Sequence, residues 1–260
     1  MSEVKEKLQP FCMHANLYFI GCEAVSVHLL DTQKGLVMID TGYPNMRELI
    51  PENMQKLGFD PRDVCAIFHS HGHIDHYANT QEYAALSGAT TYISAIDNEI
   101  LKGTLDLSWA KELGLEPAAP FSCDVLLEDG QVFDFGNTTI RCVHTPGHTA
   151  GVMSFIVTLS DGTVAAMHGG IGMNSMKADF LRAYGLSFAC RQQFKEGLHR
   201  LASERVDLVM GNHPNQTHTL EKMQARLHDG AEILDPTEWH RFLARVERRI
   251  DKLMQEDPEA

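Results

Sequence analysis

Six consecutive residues, His71-Gly72-His73-Ile74-Asp75-His76, constrain this chain more than any other feature. They read H-x-H-x-D-H and come just after the apolar run Val64, Cys65, Ala66, Ile67 and Phe68. Imidazole and carboxylate are side chains that bind zinc without redox chemistry. A strand giving way to a tight turn here would aim His71 and His73 at one point, and Asp75 and His76 at a neighbouring one. That is a plan for two metal ions. A solvated polar turn without a metal would favour Gly, Asn and Asp over three histidines.

Composition bounds what such a site can serve. The chain has 260 residues and a formal net charge of −13. That charge argues against a nucleic-acid partner, which would need a basic face, and against an anionic membrane surface. It leaves an anionic small substrate open, because bound zinc reverses the local sign. The six cysteines (Cys12, Cys22, Cys65, Cys123, Cys142 and Cys190) are scattered and never form C-x-x-C. Free thiols in a reducing compartment are therefore expected. Met1-Ser2-Glu3-Val4-Lys5-Glu6-Lys7 has no apolar core, so no secretory signal is read there. No apolar run is long enough to span a bilayer. The expectation is a cytoplasmic protein with a small-molecule substrate, no nucleic-acid or membrane partner, and room for a homo-oligomer.

Strands and helices mix along the whole chain. Leu17 to Ile20, Ala24 to Leu30 and Leu36 to Ile39 read as short strands, the last ended by Asp40-Thr41-Gly42. Helical spacing from about Asn45 to Leu57 stops at Gly58. The Val64–Phe68 strand leads into the histidine motif, and a helix through Tyr83 and Leu86 follows. A strand at Thr90–Ile93 and a helix near Ile96–Leu101 come next. Residues 103 to 122, with Gly114, Pro117 and Pro120, read as a long surface loop or partial helix. Strands resume at Val132–Phe135, Thr139–Val143, Val152–Leu159 and Val164–Met167. A helix capped by Ser187 carries Phe194, Leu198 and Leu201, and Val206–Met210 is a final strand. The C-terminal helix, about 236–256, starts at Asp235-Pro236-Thr237-Glu238. Its stripe of Trp239, Phe242, Val246, Ile250 and Leu253 is expected to pack on the body. No linker divides the chain, so one α/β domain over 1–260 is expected, sheets inside and helices outside.

Two metals need more ligands than the first motif holds. His144-Thr145-Pro146-Gly147-His148-Thr149 follows one strand, and Gly211-Asn212-His213-Pro214 follows another. Strand-end loops form a shared rim. The Pro146-Gly147 turn makes His148 the better ligand of its motif and leaves His144 a strand-end role. His69 has the wrong spacing for a ligand.

These residues carry a resemblance. The H-x-H-x-D-H motif, Thr145-Pro146-Gly147-His148-Thr149, His213 and Val37-Met38-Ile39-Asp40-Thr41-Gly42 together resemble the metallo-β-lactamase superfamily, in the same order from about Leu17 to His213. The resemblance implies a four-layer αβ/βα sandwich with two facing mixed sheets and the metals at one edge. Many members carry a bridging Asp where this chain has Gly170, within Met167-His168-Gly169-Gly170-Ile171-Gly172. Two of the lactamase subclasses use a Cys ligand in this region, and none is present. The chain is most similar to the third subclass of class B enzymes. That likeness implies one metal on His71, His73 and His148, and a second on Asp75, His76 and His213.

The chemistry agrees. Three neutral imidazoles leave an ion its full charge and an open position, which makes hydroxide available near pH 7. Asp75 would orient the nucleophile, and Asp40 would accept a ligand imidazole N–H or simply cap a strand end. His168 is a candidate pocket wall. Met173, Met176, Phe180, Leu181 and Tyr184 line a pocket, form a lid or pack as core. Tyr77 stands where the family has a small residue and would narrow the pocket. The glycine run 169–172 lacks G-K-[ST], so a phosphate loop is not read there. The expected activity is a dinuclear zinc hydrolase, with metal-bound hydroxide attacking a β-lactam, lactone, ester or thioester carbonyl. The alternative is a non-hydrolytic reaction (lyase, isomerase or oxygen-dependent) with iron or manganese in place of zinc. A flavo-diiron reductase is disfavoured, because His73 stands where those proteins use a glutamate. A purely structural zinc site would be closed and often cysteine-rich, unlike this set.

Overall fold

The computed structural model describes residues 7–259, so the expectation about Met1 to Glu6 lies outside the described residues. Two sheets form the centre. The first runs in chain order through β1 (Phe11–His14), β2 (Leu17–Phe19), β3 (His28–Thr32), β4 (Gly35–Ile39), β5 (Val64–Phe68), β6 (Thr90–Ser94) and β7 (Val125–Leu127). Its first four strands are antiparallel, and β4 to β7 are parallel. The second contains β8 (Val132–Asp134), β9 (Thr139–His144), β10 (Met153–Thr158), β11 (Val164–Met167) and β12 (Leu208–Met210). Its order is β12-β11-β10-β9-β8, antiparallel except for the parallel β11–β12 pair.

Helices cover both outer faces. They are α1 (Leu49–Lys56), α2 (Ile74–Tyr77), α3 (Thr80–Ser87), α4 (Ala95–Leu101) and α5 (Ala110–Leu113), then α6 (Ala178–Ala183), α7 (Ala189–Leu201), α8 (Thr219–Leu227) and α9 (Glu238–Glu256). Between the sheets lies a core that includes Phe19, Phe68, Phe155, Met167 and Met210. Phe68 stacks on Tyr92 with centroids 4.3 Å apart and meets Phe155 edge-on. On one outer face Ile50, Met54 and Tyr83 pack on Met38 and Ile67. On the other, Phe194 and Leu198 of α7 and Trp239, Val246 and Ile250 of α9 pack on Val143, Ile156 and Val209. Four layers result, because each sheet has apolar residues on both faces and must bury both.

The sequence reading places these elements well, with local differences. Residues 24–27 do not join a strand: Cys22 N–H donates to Val25 O and Ile20 N–H to Val27 O, so the chain turns before β3. Pro44–Met46 forms a separate 3-10 turn ahead of α1. The 103–122 segment holds only the single turn of α5. The Ser187 side chain accepts from Ala189 N–H, but α7 starts only at Ala189. The N-cap of α9 is Thr237, which makes no side-chain capping bond; the Asp235 carboxylate accepts from its N–H at 2.9 Å. All six cysteines are free thiols. Among the described residues no helix is long and apolar enough to cross a membrane.

The α9 stripe is core, and Trp239 is its largest member. Its side chain is fully buried, and its indole N–H donates to Leu201 O at 3.0 Å. Trp239→Ala is expected to cost about 3–5 kcal/mol in equilibrium denaturation; a loss under about 1 kcal/mol would mean that α9 is not integral to the core.

Candidate metal centre

Strand direction puts the functional side chains on one edge. Asp40 follows β4 and the H-x-H-x-D-H segment follows β5, a parallel pair. In the second sheet β9, β11 and β12 all run one way, so His148, the 168–172 segment and His213 leave at one end. The two edges are tied together by Met153 N–H donating to Ser70 O at 2.8 Å. Asn212 joins them as well, its amide donating to Gly169 O and its carbonyl accepting from Ser26 N–H.

The expected ligands fall into two groups. The ligand atoms of His71, His73 and His148 all lie within 4.8 Å of one another, and so do those of Asp75, His76 and His213. In the first group the ring centroids form a near-equilateral triangle, at 4.7, 4.7 and 4.5 Å. In the second, Asp75 Oδ2 lies 3.4 Å from His76 Nε2 and 3.6 Å from His213 Nε2. The groups adjoin, with the His71 and His76 rings 4.2 Å apart. Asp75 and His76 are set by the helical turn of α2 rather than by a loop.

Hydrogen bonds decide which nitrogen of each ring faces inward. His148 Nδ1 lies 2.8 Å from Gly172 O, and His213 Nδ1 lies 2.7 Å from Ala24 O. A carbonyl only accepts, so both Nδ1 atoms carry the proton and both Nε2 lone pairs are free. His76 Nδ1–H donates to Asp40 Oδ2 at 2.8 Å. Ser70 Oγ–H donates to the same oxygen, so this hydroxyl accepts from His71 Nδ1–H at 3.0 Å. Ser70 N–H fills Asp40 Oδ1. Asp40 thereby fixes one histidine from each group.

The residues present fit metal ions. His71 Nε2 and His76 Nε2 are buried and have no hydrogen-bond partner, a costly state unless something else meets them. Burial, with imidazoles on every side, holds His71 and His73 well below the usual histidine range. Burial likewise lowers His148 to about 4 and lowers His213. Four neutral lone-pair donors result, as a divalent cation requires. Burial would lower His76 too, but Asp75 and Asp40 outweigh it and raise it. Burial works against Asp40 as an anion, yet His76 and the Ser70 N–H hold its carboxyl below the usual value.

Other candidates take supporting places. His69 pairs with Thr80 Oγ1 at 3.1 Å and is no ligand. His144 Nε2 donates to Ala150 O, bracing the His148 loop. His168 is buried against Phe194 and accepts from Gly170 N–H, so it does not line the adjoining cavity. Tyr77 is not on the cavity wall either: it packs with Ile93 and Ile100 in an apolar cluster below the site. Met173 packs against the α7–α9 core. Tyr184 stacks on Phe180 and its hydroxyl donates to Glu112. The glycine run is steric in origin. A Cβ on Gly170 would stand 2.5 Å from His148 Cδ2, and one on Gly172 would stand 2.7 Å from His148 Cε1. No aspartate fits at 170, because the His148 ring fills that space.

Three contributors have no signature in the sequence. Asp97 is fully buried; it accepts from Gly72 N–H (2.8 Å), Thr149 Oγ1–H (2.6 Å) and Gly151 N–H (2.9 Å), pinning the two ligand loops together. Trp109, at a left-handed φ of 65°, sets its ring 5.3 Å from His73 and 4.7 Å from Phe180. The Tyr43 phenol faces Asp75; burial and that carboxylate push it up to about 12. Only the Ser94 cap of α4, three residues before Asp97, gave a local hint.

The family profile of the metallo-beta-lactamase superfamily matches residues 20–164. The chain belongs to this superfamily. A HARLDQ-motif mutant of a metallo-beta-lactamase from Cronobacter sakazakii superposes at a TM-score of 0.85, with 27% identity over 96% of this chain and 98% of that one. BJP-1, a subclass B3 metallo-beta-lactamase of Bradyrhizobium japonicum, shares the fold at a TM-score of 0.84, with 24% identity over 98% and 97% of the two chains. A probable polyketide biosynthesis zinc-dependent hydrolase from Bacillus velezensis is 29% identical over 98 residues, 37% of this chain and 36% of that protein. The match spans less than half the length of the curated relatives. The likeness to BJP-1 is one of fold.

Gly170→Ala is expected to push the His148 ring aside. Zinc affinity of the first group should fall about 10- to 100-fold in a chelator competition, with the circular dichroism spectrum unchanged. An unaltered affinity would show that the ring has room to spare.

Proposed function

We propose that the chain is a dinuclear zinc hydrolase that cleaves a carbonyl bond of a small molecule: a lactam, lactone, ester or thioester. The observation that carries this reading is the pair of adjoining ligand groups, each with its inward lone pairs set by hydrogen bonds behind it. His71, His73 and His148 would hold one ion, and Asp75, His76 and His213 the other. When bound, the ions would supply Lewis acidity, polarising the carbonyl and bringing the pKa of a water to about 7.

The protein's own groups do the rest. The Asp75 side chain is 9% exposed and lies between His76 and His213. Its carboxylate can accept a hydrogen bond from the attacking water, take that proton and return it to the leaving atom. Tyr43, protonated at neutral pH, donates towards Asp75 and limits its rotation. Asp97 keeps the loops carrying His73 and His148 at fixed separation. Two features support hydrolysis over a structural role: the ligand set contains no thiolate, and a cavity opens beside His73 and His148.

The test combines metal analysis with a panel of lactam, lactone, ester and thioester substrates. Two zinc ions per chain and turnover of at least one bond type are expected. Asp75→Asn should lower kcat by at least about 100-fold while leaving the thermal midpoint within a few degrees of wild type. Protein that takes up no zinc, or that binds two ions and hydrolyses nothing on the panel, contradicts the proposal. Iron or manganese at full occupancy in protein made without added metal would favour the non-hydrolytic alternative.

A further inference from the structure

A cavity of about 240 Å³ opens directly off the first ligand group, with His73 and His148 in its wall. Its other walls come from α4 (Ile96, Ile100), the segment before α5 (Leu105, Leu107) and the α6 region (Phe180, Leu181). Phe180 also contacts Trp109, which contacts the His73 ring, so an aromatic run braces the wall where His73 joins it to the candidate metal centre. Ile96 and Leu105 are 44% and 41% exposed, among the few large apolar side chains so open to solvent. They stand where the cavity would admit a chain.

Most polar groups of this wall are already engaged, and the exposed Gln193 amide, also in the lining, carries no charge. Both oxygens of Asp97 are filled by Gly72, Thr149 and Gly151. Ser175 Oγ–H donates to His148 O at 2.7 Å. Ser187 Oγ accepts from Ala189 N–H. Among the described residues no Lys or Arg lines the cavity. A charged tail on a ligand would find no counter-ion there, and a carboxylate would also meet buried Asp97. An apolar tail would lose water against apolar carbon.

We propose that this cavity is the acyl subsite: it takes the uncharged, apolar acyl chain of the substrate and holds its carbonyl beside His73 and His148. This rests on the hydrolase reading above. The preferred substrates are therefore esters or thioesters of apolar acyl chains, not compounds with a carboxylate at that end. In a thioester, the water oxygen bonds to the acyl carbon, the carbon–sulfur bond breaks, and the water's proton passes by way of Asp75 to the departing sulfur.

The experiment uses the zinc-loaded full chain and straight-chain acyl thioesters of one small thiol, from acetyl to dodecanoyl. Calorimetry measures binding of uncharged primary amides of the same lengths, a readout independent of turnover. Both kcat/KM and amide affinity are expected to rise about threefold to fourfold per added methylene, then level off once the chain outgrows the cavity. A carboxylate at the far end of the chain should lower both at least tenfold. Leu105→Lys, at the exposed rim, should selectively recover the carboxylate-tipped chain. Turnover that is flat with chain length, or that favours the carboxylate-tipped chain in the unaltered protein, overturns the subsite while leaving the hydrolase intact. Amides that bind with the expected length dependence, with no thioester and no member of the lactam, lactone and ester panel hydrolysed, support the subsite and sink the hydrolase reading.

Discussion

One buried carboxylate organises the candidate metal centre. Asp40 accepts from His76 Nδ1–H, from Ser70 Oγ–H and from Ser70 N–H, and Ser70 in turn accepts from His71. A ligand from each group is thereby oriented through a single side chain. Asp40 sits at a φ of 62°, a conformation that costs a non-glycine residue about 1–2 kcal/mol. Three donors on one desolvated anion, each stronger than a neutral hydrogen bond, offset that cost. The backbone is held as well, since Asp40 N–H donates to Phe68 O at 2.8 Å and so joins the end of β4 to that of β5.

The sandwich exists, in functional terms, to bring loops from two sheets against this carboxylate. The first sheet supplies Asp40 and the four ligands from 71 to 76 only with its strands β4 and β5 parallel; the second supplies His148 and His213. Ser70, Asp97 and Asn212 stitch the two edges by bonding the backbone N–H groups of Met153, Gly151 and Ser26, each more than 40 residues away. A rigid scaffold with ligands on its loop ends is the arrangement that allows loop chemistry to vary without disturbing the core. The aromatic run from Trp109 to Phe180 is such a variable part, built from the two segments with the least regular sequence.

Much of this was legible in the residues. All six expected ligands meet in two groups, because three short motifs carry donor types that have few other uses at strand ends. The strands were readable from apolar runs such as Val64–Phe68, and α9 from its helical stripe. What escaped reading depends on contacts distant in sequence. Asp97 meets Thr149 across 52 residues, and neither side has a local signature. Tyr77 follows a ligand yet turns into an apolar cluster, since α2 places successive side chains about 100° apart. The glycine at 170 was noticed as a missing aspartate, but its cause, the His148 ring packed against its backbone, is visible only in three dimensions.

The central claim is that Asp40 couples the two ligand groups, and Asp40→Ala tests it most directly. Zinc binding to the wild type and the variant would be measured by chelator competition, resolving both ions. The account predicts two ions in the wild type, and both affinities lowered together in the variant, by about 10- to 100-fold. Weakening of one ion alone, or of neither, would contradict it.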